Sequence, residues 1–109
     1  MTAPSVPDML FTAAAAMVCD GLPTPQKVEA SVEFGLDLNF ASHADLNRWA
    51  VHMRLTGTVR HTQPYNRDDV PQVLTNVWGV WRGVRARLHC CEPTTDTPPE
   101  FLPPKAVAA

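Results

Sequence analysis

The sequence has no excess of positive charge and no hydrophobic run long enough to cross a membrane. Its 9 basic and 11 acidic residues give a formal net charge of −2, so no overall positive field attracts nucleic acid or an anionic membrane. The apolar stretch at residues 9–19 is shorter than the ~20 residues of a transmembrane helix, and no basic residue precedes it as in a secretory signal. These absences predict a cytoplasmic protein with no membrane partner.

Cysteine is scarce, and recognisable catalytic signatures are lacking. The three cysteines are Cys19, Cys90 and Cys91, an odd number with two adjacent members, which is not a disulfide framework and suits a reducing compartment. The sequence contains no Gly-x-Ser-x-Gly, no glycine-rich phosphate loop and no His-Glu-x-x-His. We therefore expect no enzymatic activity and no cofactor.

What the chain does have is the composition of one folded domain. Its 109 residues, 45% hydrophobic and 18% charged, are enough to build one hydrophobic core. We expect a single domain at residues 1–91. Five prolines among the last 18 residues predict an extended tail at residues 92–109.

Two helices are predicted from their caps and their apolar spacing. Ser5 and Asp8 have the spacing of a capping box, and Gly21 can adopt the left-handed conformation that ends a helix. Ser42 can cap a second helix. The apolar stripe of this second helix comprises Leu46, Trp49, Ala50 and Met53. His43 falls in its first turn, where we expect the side chain to face solvent.

Residues 27–40 alternate between polar and apolar side chains, which predicts strands with one buried face. Fourteen residues are long for a single strand, and a three-residue turn would keep the alternation on both sides of it. We place this turn at residues 33–35, with Val32 paired to Leu36 and Phe34 at the tip. One long strand is the alternative.

Two more strands are predicted in the second half of the chain. Residues 55–63 are rich in threonine, as short strands are. Residues 65–76 contain Pro71 and indicate a loop, and residues 78–91 form the last strand. The order is therefore α-β-β-α-β-β. It predicts an α+β two-layer sandwich in which two helices cover one face of a four-stranded antiparallel sheet.

The first helix is followed by GLPTPQKVEASVEF at residues 21–34, and the hairpin is followed by SHADLNRWAVHM at residues 42–53. With them, residues 8–90 resemble small orphan proteins of actinobacteria and their phages. The resemblance implies an accessory protein encoded by a phage or mobile element, and it brings no activity and no functional residue to this chain.

The predicted last strand divides into two faces because successive side chains alternate. Its apolar face would comprise Trp78, Val80, Arg82, Val84, Ala86, Leu88 and Cys90. Its outer face would comprise Gly79, Trp81, Gly83, Arg85, Arg87, His89 and Cys91. An exposed tryptophan between two glycines can anchor an interface, with the two arginines orienting a partner. A local hydrophobic cover over neighbouring strands is the alternative role for this tryptophan.

The run His89, Cys90, Cys91 does not predict a metal site, because neighbouring side chains on a strand point to opposite faces and cannot converge on one ion. Cys91 and His89 share a face and could act as a nucleophile and its base, but nothing near them in the sequence supplies an oxyanion site. The pair Asp68 and Asp69 is too small a set for a calcium loop.

These observations favour a non-enzymatic protein-interaction module that self-associates as a homodimer or docks on a protein partner. The residues predicted to bind the partner are Trp81, Arg85, Arg87, Phe101 and Leu102. The last two lie in the tail, which would clasp the partner. A nucleic-acid-binding accessory protein that uses the outer sheet face is the alternative. Acidic residues expected on that face, among them Glu29, Glu33 and Asp37, weigh against phosphate binding.

Overall fold

The structure, a computed structural model, describes residues 5–55 and 59–102. Within these residues the chain forms two helices, five strands and two short 3₁₀ turns, which confirms the α+β class. The elements are α1 (Val6–Asp20), β1 (Lys27–Ser31), β2 (Gly35–Phe40), α2 (His43–His52), β3 (Val59–Arg67), β4 (Val70–Trp81), β5 (Val84–Pro93) and the turns Thr94–Asp96 and Pro99–Phe101.

The sheet differs from the prediction in its strand number and in its pairing. It has five strands in the order β1-β2-β5-β4-β3 instead of four. It is mixed instead of wholly antiparallel, because β2 and β5 run parallel. The last strand in the chain therefore lies at the centre of the sheet, and the crossover through α2 carries the chain from β2 to the far edge, where β3 lies.

Local sequence determines both ends of α1. The Ser5 hydroxyl accepts a hydrogen bond from the backbone N–H of Asp8, and the Asp8 carboxylate accepts one from the backbone N–H of Ser5, so the predicted capping box is confirmed. Gly21 follows the helix with φ of 67°, the left-handed conformation that glycine adopts at little cost. The helix extends to Asp20.

The second helix buries its predicted stripe against the sheet. Ser42 caps α2 by accepting a hydrogen bond from the backbone N–H of Asp45. The buried members of the stripe are Leu46, Trp49, Ala50 and Met53. The Trp49 indole N–H donates to the carbonyl of Pro23 at 2.7 Å. The expectation that His43 faces solvent is wrong, because this side chain is 0% exposed.

The β1–β2 hairpin confirms the prediction of two strands, with the turn one residue earlier than placed. Ser31 pairs with Gly35, so residues 32–34 form the three-residue turn and Val32 is exposed on it instead of facing the core. Gly35 has φ of 90°, and a β-carbon there would lie 2.1 Å from the carbonyl oxygen of Arg85. Glycine is needed here because β2 and β5 approach closely.

The segment predicted as a loop, residues 65–76, instead forms most of the β3–β4 hairpin. Arg67 pairs with Val70 across a two-residue turn in which Asp68 and Asp69 have φ of 50° and 64°. A tight two-residue hairpin turn needs positive φ at both central residues, and here two aspartates supply it instead of glycine. The hairpin confirms a strand over part of residues 55–63, of which residues 56–58 lie outside the described part of the chain.

Two prolines do not interrupt this hairpin, because neither lies where the sheet needs its N–H group. Pro64 is on β3, an edge strand. Pro71 is on β4, but the pairing of β4 with β5 begins only at Gln72. Proline is tolerated in strands at such edge positions.

The stretch predicted as one last strand is two strands joined by a tight turn. Trp81 pairs with Val84, and the intervening Arg82 and Gly83 have φ of 52° and 79°. A two-residue turn places residues i and i+3, which flank it, on the same face of the sheet. In an uninterrupted strand these two residues would lie on opposite faces, so the side chains before the turn face the opposite way to the prediction. The inner face predicted for β5 is confirmed at Ala86, Leu88 and Cys90, whereas on β4 Trp78 and Val80 face outward.

The beginning of the predicted tail packs against the domain. β5 continues to Pro93, and Phe101 lies in the hydrophobic core at 2% exposure. Residues 103–109 lie outside the described residues. No helix in the described part of the chain is both long and apolar enough to cross a membrane.

Candidate functional site

The two predicted arginines, Arg85 and Arg87, lie on the outer face of the sheet as expected, but the tryptophan beside them is Trp78. Trp81 is 7% exposed and packs edge-on against Trp49, with ring centroids 6.2 Å apart. The prediction that Trp81 is exposed on the outer face is wrong because the tight turn at residues 82–83 reverses the alternation before it.

The two tail residues predicted to clasp a partner contact their own domain. The Phe101 ring lies 4.9 Å from the His43 ring, measured between centroids. Leu102 is half-buried. As the structure has it, neither side chain extends away from the domain, and the binding role of both stays a prediction.

A row of side chains crosses the outer face from β4 to β1. Trp78, Arg87, Asp37 and Glu29 are paired directly across four neighbouring strands. An Arg87 guanidinium nitrogen lies 2.7 Å from an oxygen of Asp37, and Lys27 lies 2.6 Å from Glu29. Most charges on this face are thus neutralised by cross-strand or same-strand neighbours.

A groove of about 360 Å³ opens on this outer face beside the row. Phe34 from the β1–β2 turn and Trp78 from β4 contribute aromatic walls, and Arg85 lines it as well. Arg85 is exposed and has no ion-pair partner among residues 5–55 and 59–102. The groove therefore combines one positive charge that has no ion-pair partner, on Arg85, with two acidic residues, Glu29 and Asp37, that already form ion pairs with Lys27 and Arg87.

The proposed couple of Cys91 and His89 does not form. The Nε2 atom of His89 lies 2.7 Å from Asp37, and its Nδ1 atom lies 3.1 Å from the amide of Asn39. The Cys91 thiol donates to the side-chain oxygen of Gln72 at 3.4 Å, and burial raises its pKa. Both side chains have other partners, so this pair does not supply a nucleophile and its base.

A polar cluster lies inside the core, where the sequence predicted only a buried thiol. His43 begins α2, Cys90 and Glu92 point inward from β5, and Thr75 points inward from β4. The His43 Nδ1 atom is 2.6 Å from Glu92 Oε1 and 3.6 Å from Cys90 Sγ. Its Nε2 atom is 2.7 Å from Thr75 Oγ1. We call these four residues the core cluster.

The core cluster has the chain of groups seen in hydrolases, a carboxylate, an imidazole and a hydroxyl, but it is closed to substrate. His43, Thr75 and Cys90 are each 0% exposed, so a reacting molecule cannot reach the hydroxyl or the thiol in this conformation. Burial, followed by the nearby Glu92 carboxylate, raises the pKa of Cys90 to about 12. The thiol is therefore neutral at physiological pH and a poor nucleophile.

Part of the signal for this cluster is present in the sequence, at a spacing of two residues instead of one. Cys90 and Glu92 are two residues apart on one strand, so both point to the same face. Cys91, the neighbour of Cys90 in the sequence, points to the opposite face. His43 could not be assigned to the same place without the crossover that brings α2 over β5.

Helix α1 has a second apolar face that the domain does not cover. Its inner face buries Met9, Ala13 and Ala16. Its outer face exposes Phe11 to 75%, Val18 to 83% and Leu10 to 42%, with Ala14 also exposed. We call Leu10, Phe11, Ala14 and Val18 the outer face of α1. A helix that is apolar on both sides is typical of a helix buried by a further contact.

A groove of about 260 Å³ runs along one side of this helix. It is lined by residues of α1, among them Phe11, Ala15 and Cys19, and by Arg82 from the β4–β5 turn. The Arg82 guanidinium lies over the Trp81 ring at 5.6 Å from its centroid. The groove therefore places one exposed cation next to the outer face of α1.

Comparisons of the chain with protein-family models, curated proteins and solved structures give no match. The resemblance to small orphan proteins of actinobacteria and their phages therefore stays a prediction.

Proposed function

We propose that the protein is a non-enzymatic interaction module that self-associates through the outer face of α1. The observation that carries this proposal is the exposure of Phe11 and Val18 on a helix whose opposite face is already buried in the core. Contiguous exposed apolar side chains on a folded domain mark interaction sites. The occupant we infer is a second copy of this chain.

The pattern along α1 is self-complementary about its middle. Phe11 and Val18 lie at equal distances from the point between Ala14 and Ala15. In an antiparallel pair of α1 helices, Phe11 of each copy therefore meets Val18 of the other. The small alanines at the crossing point let the two backbones approach closely. A two-fold interface requires such self-complementarity of one surface.

Charge also supports the antiparallel arrangement. α1 carries Asp8 near its start and no basic residue in its last turn. Antiparallel packing brings Asp8 of the second copy to the level of Gly21, where Arg82 lines the groove and where the acidic Asp20 already has His52 at 3.4 Å. A parallel pair would instead place the two Asp8 side chains at the same level, where they repel.

The outer face of α1 is small, which implies a weak and reversible dimer. Fifteen residues of helix span about 22 Å. Full burial of one large apolar side chain contributes roughly 1.5–3 kcal/mol, while association costs at least about 4 kcal/mol in lost freedom of motion. Two such side chains per copy contribute at most about 12 kcal/mol to the dimer, which leaves about 8 kcal/mol after that cost and sets the dissociation constant at about 1 μM at the tightest.

Sedimentation velocity over a wide range of protein concentration tests the proposal. We expect the wild-type chain to shift from monomer to dimer as concentration rises, and the variant Phe11→Ser with Val18→Ser to remain a monomer. The variant Val51→Ser is the matched control, because Val51 is an exposed valine on α2, outside this face. A wild-type chain that stays monomeric at millimolar concentration, or a dimer lost in the control, would refute the proposal.

Disulfide trapping tests the orientation of the two helices. Chains with Phe11→Cys and chains with Val18→Cys, both in a Cys19→Ser background, are mixed and oxidised. Antiparallel packing predicts mixed disulfides in excess of those within either population, because only unlike positions come within bonding distance. An excess of disulfides between like positions would indicate parallel packing instead.

A second candidate is nucleic-acid binding at the outer sheet groove, favoured by the uncompensated Arg85 beside Trp78. The acids Glu29 and Asp37 on the same face weigh against it, because each repels a phosphate backbone. This candidate predicts binding to a single-stranded oligonucleotide that weakens steeply with salt and is lost in Arg85→Gln with Trp78→Ala. An interaction that is unaffected by salt would count against it.

A further inference from the structure

We propose that His43, Cys90 and Glu92 form a binding site for one zinc ion. The three side chains supply an imidazole, a thiol and a carboxylate, and one ligand atom from each lies within 4.8 Å of the others. These are the donor types that zinc takes in proteins. Apart from Thr75 and Thr97, the other buried side chains of the described residues are apolar.

The distances suit a tetrahedral ion after a small change at one ligand. Zinc bonds of about 2.0–2.1 Å to nitrogen and about 2.3 Å to sulfur place those two atoms about 3.6 Å apart in a tetrahedral site. His43 Nδ1 and Cys90 Sγ are 3.6 Å apart. Nδ1 and Glu92 Oε1 are 2.6 Å apart, so the carboxylate would move outward by roughly 0.7 Å to admit the ion.

The charges balance when the ion is bound. An ionised carboxylate only accepts hydrogen bonds, so the contact with Nδ1 holds a proton on that nitrogen. Binding removes the proton from Nδ1, so the neutral imidazole carries its proton on Nε2 beside Thr75, and the thiol of Cys90 gives its proton to the solvent. One thiolate and one carboxylate then neutralise the two positive charges of the ion, so no net charge is buried. At least one proton leaves for the solvent per ion bound.

The remaining nitrogen of the imidazole is already oriented for this role. Nε2 of His43 lies 2.7 Å from Thr75 Oγ1, and Thr62 Oγ1 lies 3.2 Å from the same hydroxyl. A zinc-bound histidine needs such a partner for its second N–H group, because the partner fixes the tautomer and the ring direction. Three protein ligands leave a fourth position, which a water molecule that enters with the ion would fill.

The competing account is that the core cluster only completes hydrogen bonds at the start of α2. Glu92 accepts the backbone N–H of His43 at 2.8 Å, which satisfies one of the free donors at a helix N-terminus. The two accounts differ in what Cys90 does. A hydrogen-bonded cap needs no thiolate, whereas the metal site does not form without one.

Cobalt titration of the metal-free chain, prepared with a chelator, separates the two accounts. Tetrahedral Co²⁺ with a thiolate ligand gives a charge-transfer absorption band and visible d–d bands. We expect these bands to saturate at one equivalent per chain and to be removed by one equivalent of Zn²⁺. Proton release, followed with a pH indicator in weak buffer, should run in parallel with the absorption.

Matched variants assign the bands to this site. Cys90→Ser should lose the charge-transfer band, whereas Cys91→Ser and Cys19→Ser should keep it. Thr75→Val should weaken zinc binding by about 10- to 100-fold while keeping the band, as loss of an orienting partner does. Circular dichroism checks that each variant is folded. If Cys90→Ser is unfolded, the readout is instead the melting temperature of the wild-type chain, which should rise when zinc is added.

The absence of a charge-transfer band in the wild-type chain, together with a melting temperature that zinc does not raise, would overturn the proposal and leave the hydrogen-bonded cap. A band that disappears in Cys91→Ser or Cys19→Ser while it survives in Cys90→Ser would also overturn it. In that case the metal binds at the surface.

Discussion

One residue, His43, supplies both hydrogen bonds that hold an oxygen of Glu92 in the core. Its backbone N–H donates to Glu92 Oε1 at 2.8 Å, and its Nδ1 lies 2.6 Å from the same oxygen. Both residues are almost fully buried, so water does not replace these contacts. The pair links the start of α2 to the far end of β5.

The variant Glu92→Gln should lower the free energy of unfolding by about 1.5–3 kcal/mol, because hydrogen bonds to a charged acceptor become hydrogen bonds to an amide. Glu92→Ala should cost about 2–6 kcal/mol, since it removes the acceptor of two buried donors of His43, the backbone N–H and Nδ1. Urea denaturation measures both. Glu33→Gln, at an exposed turn position, is the control and should change little; equal effects at both sites would contradict this role for Glu92.

Replacement of Trp81 by alanine should lower the free energy of unfolding much more than replacement of Trp78. Trp81→Ala removes a ring that packs against Trp49 and should cost about 3–5 kcal/mol, as large-to-small changes in a core do. Trp78→Ala removes a half-exposed side chain from the outer face and should cost about 1 kcal/mol or less. Thermal or chemical denaturation of the two variants decides the matter, and the reverse order would place the tryptophans on the opposite faces.

The β3–β4 turn should be stabilised by glycine. Asp69 has φ of 64°, a conformation that costs a residue with a side chain about 1–2 kcal/mol. Asp69→Gly relieves this strain at the expense of greater freedom in the unfolded chain, so we expect a net gain of about 0.5–1 kcal/mol. Glu33→Gly, in a turn residue without positive φ, should bring no gain. A loss of stability at Asp69→Gly would show that the aspartate makes a contact worth more than the strain.

The raised pKa of the Cys90 thiol should make the free energy of unfolding fall at alkaline pH. Its pKa is about 12 in the folded chain against 9.0 for the free group, chiefly because of burial. Above pH 9.0 the unfolded chain therefore holds fewer protons than the folded chain, and stability falls as pH rises. The slope should be steeper in the wild type than in Cys90→Ala by up to about 1.4 kcal/mol per pH unit. Measured with a chelator present, parallel profiles for the two chains would contradict this.

The helices could be predicted from the sequence because their signals are local. The capping box of Ser5 and Asp8 and the left-handed Gly21 each depend on a few neighbouring residues, and the structure has both where expected. The stripe of α2 is likewise a repeat within one element. Such features are independent of which other segment packs against them.

The sheet could be predicted only in part because its key features are not local. Arg82-Gly83 is less recognisable as a hairpin turn than Asn-Gly or Asp-Gly. A single strand without this turn would have Trp81 on the outer face instead of in the core. Pro71 favours a loop in the sequence because proline is rare inside a sheet. In the structure β4 extends one residue or more beyond the start of its pairing with β5 at Gln72, and the sequence does not show this. The core cluster depends on the parallel pairing of β2 with β5, which no periodicity reports.

The central position of β5 has a consequence for how the chain acquires its fold during synthesis. Asn39 on β2 is paired with His89, fifty positions later. At a translation rate of about 5–20 residues per second, β2 waits roughly 3–10 s for the strand beside it. During this interval the hairpin β1–β2 exposes an unpaired hydrogen-bonding edge and the apolar side chains of its inner face. The nascent chain is then most open to mispairing, and the last strand to emerge both closes the sheet and ends that exposure.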